Sequence, residues 1–167
     1  MGHYHVPKVY SWLWRYACQN KRKFFFWLVL KNRLSTRSLL RRRNMLLRDY
    51  ICVFCLLNVE EDLLHLFFHC PFSQACLFSL NVFLPNSDDI LDIVDSIKHQ
   101  LNQSFFMEII VTMCWAIWIM RNDIIFRNLG HSVQRCRSVF KKEFALVILI
   151  AKTSLHPRID SWLEAFV

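Results

Sequence analysis

"CVFCLLNVEEDLLHLFFHC" (residues 52–70) places three cysteines and two histidines within nineteen positions of an otherwise apolar chain. Zinc takes four tetrahedral ligands, mainly thiolate and imidazole in small structural sites, which often draw two from a C-x-x-C turn. Cys52-Val53-Phe54-Cys55 is such a turn; His65 follows after nine residues and Cys70 after four more, giving C-x2-C-x9-H-x4-C. His69 is a rival fourth ligand, because His65 and His69 at i, i+4 share one face of a helix. That H-x3-H spacing fits a Cys2His2 finger with a short intervening loop, so spacing alone leaves Cys70 and His69 both open. The competing account is a pair of apolar helices with buried cysteines and no metal. A lone C-x-x-C would favour that account, and the downstream His and Cys turn it towards metal. A redox C-x-x-C would need a strand leading into it, and none is predicted. Four protein ligands leave no position for water or substrate, so the site is expected to be structural.

Outward from this segment the chain reads as helices. "VEEDLLHLFFH" predicts a helix with its acids in the first turn, where they suit the helix dipole. Pro71 disfavours helical geometry at Cys70 and ends it there. Upstream, "VYSWLWRYA", "KRKFFFWLVLKNRL" and "STRSLLRRRNML" predict basic amphipathic helices, the last capped by Ser35 or Thr36. Downstream, Ser87 is the expected cap of a helix with Asp88 and Asp89 in its first turn and an apolar stripe from Ile90 to Leu101. "FFMEIIVTMCWAIWIMRNDIIF" is apolar nearly all round and predicts a central helix covered by others. Its longest uncharged run, Ile109–Met120, is too short to span a bilayer, so no membrane span is expected. Gly130 is the expected C′ glycine before a further long helix, "SVQRCRSVFKKEFALVILIAK", which His156-Pro157 breaks ahead of a short tail.

Composition agrees. The 167 residues are 54% hydrophobic with two glycines and four prolines, too few turn formers for an all-β or disordered chain. Seven cysteines and a start, "MGHYHVPKVY", without the charged-then-apolar order of a signal peptide predict a reducing compartment. The expected fold is all-α: short helices around a small zinc-knuckle-like Cys/His site, followed by a long-helix C-terminal part. The predicted division is 8–84, basic and metal-binding, and 85–167, helical.

The formal net charge of +8 is uneven. Residues 1–50 hold twelve Lys/Arg and one acid, a net of +11, whereas residues 51–100 net −6 from one Lys and seven acids. A basic segment of that density is the footprint of a polyanion partner, or else a solvated helix face. The expected phosphate contacts are Lys21, Arg22, Lys23, Lys31, Arg33, Arg37, Arg41, Arg42, Arg43 and Arg48, all sequence-blind. Trp12, Trp14, Phe24 and Trp27 lie nearby; such rings at helical spacing are more often core than base-stacking platforms.

From Tyr10 to about Leu80 the chain resembles the zinc-binding domain that follows the reverse transcriptase of plant non-LTR retroelements. The pattern is a Trp-rich start, a basic segment with Phe-x-Trp, an "R-L-x-T-R-x-x-L" stretch, then C-x-x-C, acids, "His-Leu-Phe" and "Cys-Pro". Here these read "YSWLW", "KRKFFFWLVLKNRLSTRSLLRRR", "CVFC" and "EEDLLHLFFHCPFS". The resemblance implies zinc on Cys52, Cys55, His65 and Cys70, with His69 a neighbour. The Trp usual shortly after the last ligand is replaced by Cys76, Leu77 and Phe78, a difference in packing. "MCWAIWIMRNDIIF" is similar to the "W-x-I-W-x-x-R-N-x-x-x-F" helix that often follows this domain in plant copies.

No catalytic residues are expected. Asp88-Asp89, the only adjacent Asp pair, sits where a helix N-terminus favours acids, and two glycines supply no phosphate loop. The expected function is a non-catalytic, retroelement-derived zinc module that binds nucleic acid non-specifically; the resemblance implies RNA in preference to DNA and a nuclear or cytoplasmic location. The alternatives are a helical module contacting a polymerase or other protein through Ile109–Ile125 and Phe140–Ile150, or a degenerate fragment without selected activity.

Overall fold

A helix with apolar residues on every side is stable only if other elements cover it. In the computed structural model, which describes residues 8–166, that helix is α6 (Phe106–Arg127), and it forms the centre of the molecule. Around it lie α1 (Lys8–Arg15), α2 (Asn20–Leu30), α3 (Arg37–Arg42), α4 (Pro71–Phe78), α5 (Ile90–Leu101), α7 (Val133–Ile148) and α8 (His156–Ala165). Helices α2, α5 and α7 pack directly on α6. Among the described residues there is no strand, only an isolated antiparallel bridge between Ile51 and Glu60. The fold is all-α. Residues 1–7, most of the stretch read for a signal peptide, lie outside the described ones.

By length and composition α6 could cross a bilayer, with a mean hydropathy of 1.6, but 61% of that stretch is buried inside the protein. Trp115 of α6 meets Phe25 of α2, and Phe105, just before α6, meets Phe144 of α7 and Trp162 of α8, all within one continuous core. The apolar surface offered to a protein partner by Ile109–Ile125 is therefore largely covered by the chain itself. Of the Phe140–Ile150 stretch, Phe140, Phe144 and Val147 are buried, while Leu149 and Ile150 remain exposed. The core runs from Val9 to Phe166 and crosses the division expected at 84/85.

Two buried ion pairs also join the halves. Arg22 of α2 is 1% exposed and pairs with Glu143 of α7, donating as well to the Glu143 carbonyl at 2.9 Å. Arg121 of α6 pairs with Glu61 at 2.7 Å.

Helix starts follow local chemistry. Thr36 accepts from the Leu39 amide, Ser132 from Arg135 and Asp89 from Leu91, satisfying donors that a helix leaves open. The cap of α5 is thus Asp89 and not Ser87, whose hydroxyl accepts from the Asp89 amide one step earlier. The tail after His156 is helical, because Pro157 sits in the first turn of α8, where its missing N–H costs nothing.

Helix ends show what replaces glycine in this chain. Asn32, Asn44, Asn81, Asn102 and Asn128, all with positive φ, follow α2, α3, α4, α5 and α6 in turn. Asparagine tolerates the left-handed region better than other side chains. Behind three of them an amide reaches back five residues, Arg33 to Leu28, Met45 to Leu40 and Val82 to Leu77, the bond of a Schellman end. Gly130 has no positive φ, and α6 is closed by Asn128 instead.

Candidate metal centre

Segment 50–62 folds back on itself. The Cys52 amide donates to the Val59 carbonyl and the Glu61 amide to Tyr50, both at 2.8 Å, and Asn58 turns the chain at φ 57°. Cys52 lies on the first arm and Cys55 in the turn. The expected helical start at Glu60 is displaced: Glu60 belongs to the bridge, and Glu61 is wholly buried. Only Asp62 meets the helix, its carboxylate accepting from the His65 amide at 2.7 Å.

His65–His69 then forms a single π-helical turn, in which the Cys70 amide donates to the His65 carbonyl at 2.7 Å. A π turn aligns residue i with i+5, where an α-helix aligns i with i+3 and i+4. This wider turn brings His65 and Cys70 together and turns His69 away. His69 Nε2 lies 3.1 Å from the Ser87 carbonyl, so it meets the start of α5 and is no part of the cluster. Cys70 is extended, as a residue before proline prefers, and Pro71 opens α4.

One ligand atom each from Cys52, Cys55, His65 and Cys70 lies within 4.8 Å of all the others. Cys52 Sγ is 3.9 Å from Cys70 Sγ, and Cys55 Sγ is 3.3 Å from His65 Nε2. A tetrahedral zinc with Zn–S near 2.3 Å and Zn–N near 2.0 Å sets S···S at about 3.8 Å and S···N at about 3.5 Å. Three sulfurs and one imidazole, without a carboxylate, are soft donors suited to zinc and poorly suited to magnesium or calcium. The residues fit a closed, four-coordinate divalent ion.

The environment favours the ligating form at Cys70 and His65 and opposes it at Cys52. Amides of Phe54 and Cys55 hydrogen-bond to Cys52 Sγ, and those of Phe72 and Ser73, at the start of α4, to Cys70 Sγ. A hydrogen bond donated by Cys52 lowers the Cys70 thiol, and the same bond, together with burial, holds Cys52 protonated. Burial lowers the His65 imidazole and favours the neutral, ligating form. Phe54 and Phe72 pack together beside the cluster, centroids 4.5 Å apart, and His131 from the α6–α7 connection lies on both rings.

The expected phosphate contacts divide into three groups. Lys21, Lys31, Arg33, Arg41, Arg42, Arg43 and Arg48 are exposed, with Arg41 sharing its charge with Glu60 at 3.0 Å. Lys23 and Arg37 are half-buried, bonded to the Trp14 carbonyl and to Asp49 and the Ile51 carbonyl respectively. Arg22 must be withdrawn from the set, because its guanidinium is buried against Glu143. Of the aromatic residues, Trp12 packs edge-on to Phe106, while Trp14 and Phe24 are more than half exposed.

Glu61 is the residue that the sequence reading misplaced. Besides Arg121, it accepts the Arg37 amide at 3.0 Å, and its carbonyl takes the Ser38 amide, so one buried acid joins the Cys/His loop, α3 and α6. The available signal was the Arg-Asn pair 121–122 in an otherwise apolar helix, a buried charge in need of an acid.

No curated protein and no solved structure matches the chain. Residues 2–76, which contain the whole four-residue cluster and the basic segment before it, match the family described as zinc-binding in reverse transcriptase, so this N-terminal part is similar to the zinc-binding part of those enzymes.

Proposed function

We propose that this protein is a non-catalytic zinc-binding module that holds a basic helical surface against nucleic acid, RNA in preference to DNA. The observation that carries this reading is the convergence of Cys52, Cys55, His65 and Cys70 within 4.8 Å, directly after a segment of net charge +11. When bound there, zinc would supply a structural crosslink with no open coordination position. The surrounding groups do the rest. Asp62 starts the turn that presents His65, the α4 amides favour thiolate at Cys70, and Glu61 ties the loop to α3 and α6. Exposed Arg41, Arg42 and Arg43 follow one another at the end of α3, where phosphates would be met by charge alone. The preference for RNA, and an origin in a plant retroelement, rest on the similarity to reverse transcriptase, whose template is RNA. A nuclear or cytoplasmic location accords with the free cysteines.

The test is metal content together with filter retention of mixed-sequence RNA at low and moderate salt. One zinc per chain and retention that falls steeply with salt are expected. Charge reversal at Arg41, Arg42 and Arg43 should abolish retention. Protein without zinc, or retention unchanged by salt and by that reversal, would refute the reading.

A further inference from the structure

Helix α2, with Lys31 at its C-terminal end, presents Lys21, Phe24, Trp27 and Lys31 at steps of three, three and four residues, the spacing of one helix face. Its other side, with Arg22, Phe25, Phe26 and Val29, is buried in the core. On the outer face Phe24 is 55% exposed and lies parallel to Trp27, with centroids 5.7 Å apart and planes 19° apart. Lys21 and Lys31 are exposed at either end, their ammonium groups near the rings of Trp115 and Tyr10. Ten residues of helix separate them by about 15 Å. The first acid in the chain is Asp49, so no carboxylate belongs to α1, α2 or α3.

An aromatic stack between two cations, its outer ring Phe24 exposed and Trp27 half-buried against the core, with no acid on its helix, suits an anionic partner that carries flat, apolar faces. A nucleic-acid duplex buries those faces in its own stack, whereas an unpaired strand offers both bases and phosphates. We propose that the Phe24–Trp27 pair is a stacking platform for bases of single-stranded nucleic acid, with Lys21 and Lys31 on the flanking phosphates. This rests on the nucleic-acid reading above and adds the strand form and the residues that select it. Arg41, Arg42 and Arg43 meet charge in either form; Phe24 and Trp27 meet only unpaired bases.

The experiment is fluorescence anisotropy of the full chain with a short labelled single strand and with its duplex. The wild-type protein should bind the single strand more tightly. Phe24→Ala, at an exposed position that leaves the core intact, should weaken single-strand binding about tenfold and leave duplex binding unchanged. Phe24→Tyr, which keeps the ring, should restore it. Equal affinity for the two probes, or a Phe24→Ala variant that binds the single strand as well as wild type, would overturn the platform while leaving the charge-based reading intact. No binding of either probe would overturn both.

Discussion

Arg121 of α6 holds Glu61 of the Cys/His loop through Nη2 at 2.7 Å and Nε at 3.2 Å to one oxygen, and both side chains are buried. The guanidinium also lies over the Trp118 ring, 4.7 Å from its centroid. Isolated charges at such a site would be strongly disfavoured, so each partner makes the other tolerable. Loss of either should destabilise the protein by about 3–5 kcal/mol, because it strands the remaining charge. Urea unfolding of Glu61→Ala and Arg121→Ala checks this, and Arg121→Lys should recover little, since an ammonium cannot reproduce the fork. Replacing both residues by leucine should cost less than either alanine variant.

The π turn separates His65 from His69 in a way that metal analysis can read. Cys52→Ser and Cys70→Ser should lower zinc content and melting temperature together, and a chelator should do the same to the wild-type protein. His69→Ala should keep full zinc content, because its ring meets Ser87. Loss of zinc in that variant would mean that an α-helical register is adopted when metal binds.

Glu108 gives stability a dependence on pH. Its carboxyl is 2% exposed, one oxygen accepts the Ala17 amide at 2.8 Å, and the other has no partner. Burial raises its pKa, with the Ala17 amide and Lys23 opposing. A carboxyl raised in the folded state costs nothing while it is neutral in both states. It reduces stability as pH climbs from 4.5 through the raised value. Glu108→Gln should remove that loss, so the urea midpoints of variant and wild type should diverge as pH rises. Parallel midpoints across the range would refute it.

The left-handed asparagines predict a graded response. Asn44 is exposed, has φ 58° and closes α3. Asn44→Ala should destabilise by about 1 kcal/mol, because alanine lacks the short polar side chain that lets asparagine tolerate that region, and Asn44→Gly, which has no Cβ to strain, should stay within about 0.5 kcal/mol of wild type. Thermal unfolding of the two variants side by side decides it.

Much of the architecture was open to reading from residue order. Apolar periodicity marks α5 and the all-apolar stretch marks α6 as central, since both follow from the need to hide side chains from water. Helix ends were read less well, because glycine was taken as the stop signal in a chain that uses asparagine. The spacing C-x2-C-x9-H-x4-C singled out four sulfur and imidazole groups, with His69 as a rival. Spacing left Cys70 and His69 both open, because i, i+4 neighbours share a face only in α-helical geometry and the backbone makes a π turn here.

Composition and pattern alone dictate that the chain is helical, basic in its first third and rich in soft ligands at 52–70, because these depend on local chemistry. Only the folded arrangement decides that Arg22 turns inward to Glu143 while Arg41 to Arg43 face solvent. It likewise decides that Glu61 serves Arg121 and not a helix dipole. Residues far apart in sequence must meet before their charges choose partners, and desolvation, which depends on that meeting, sets which pairs are kept.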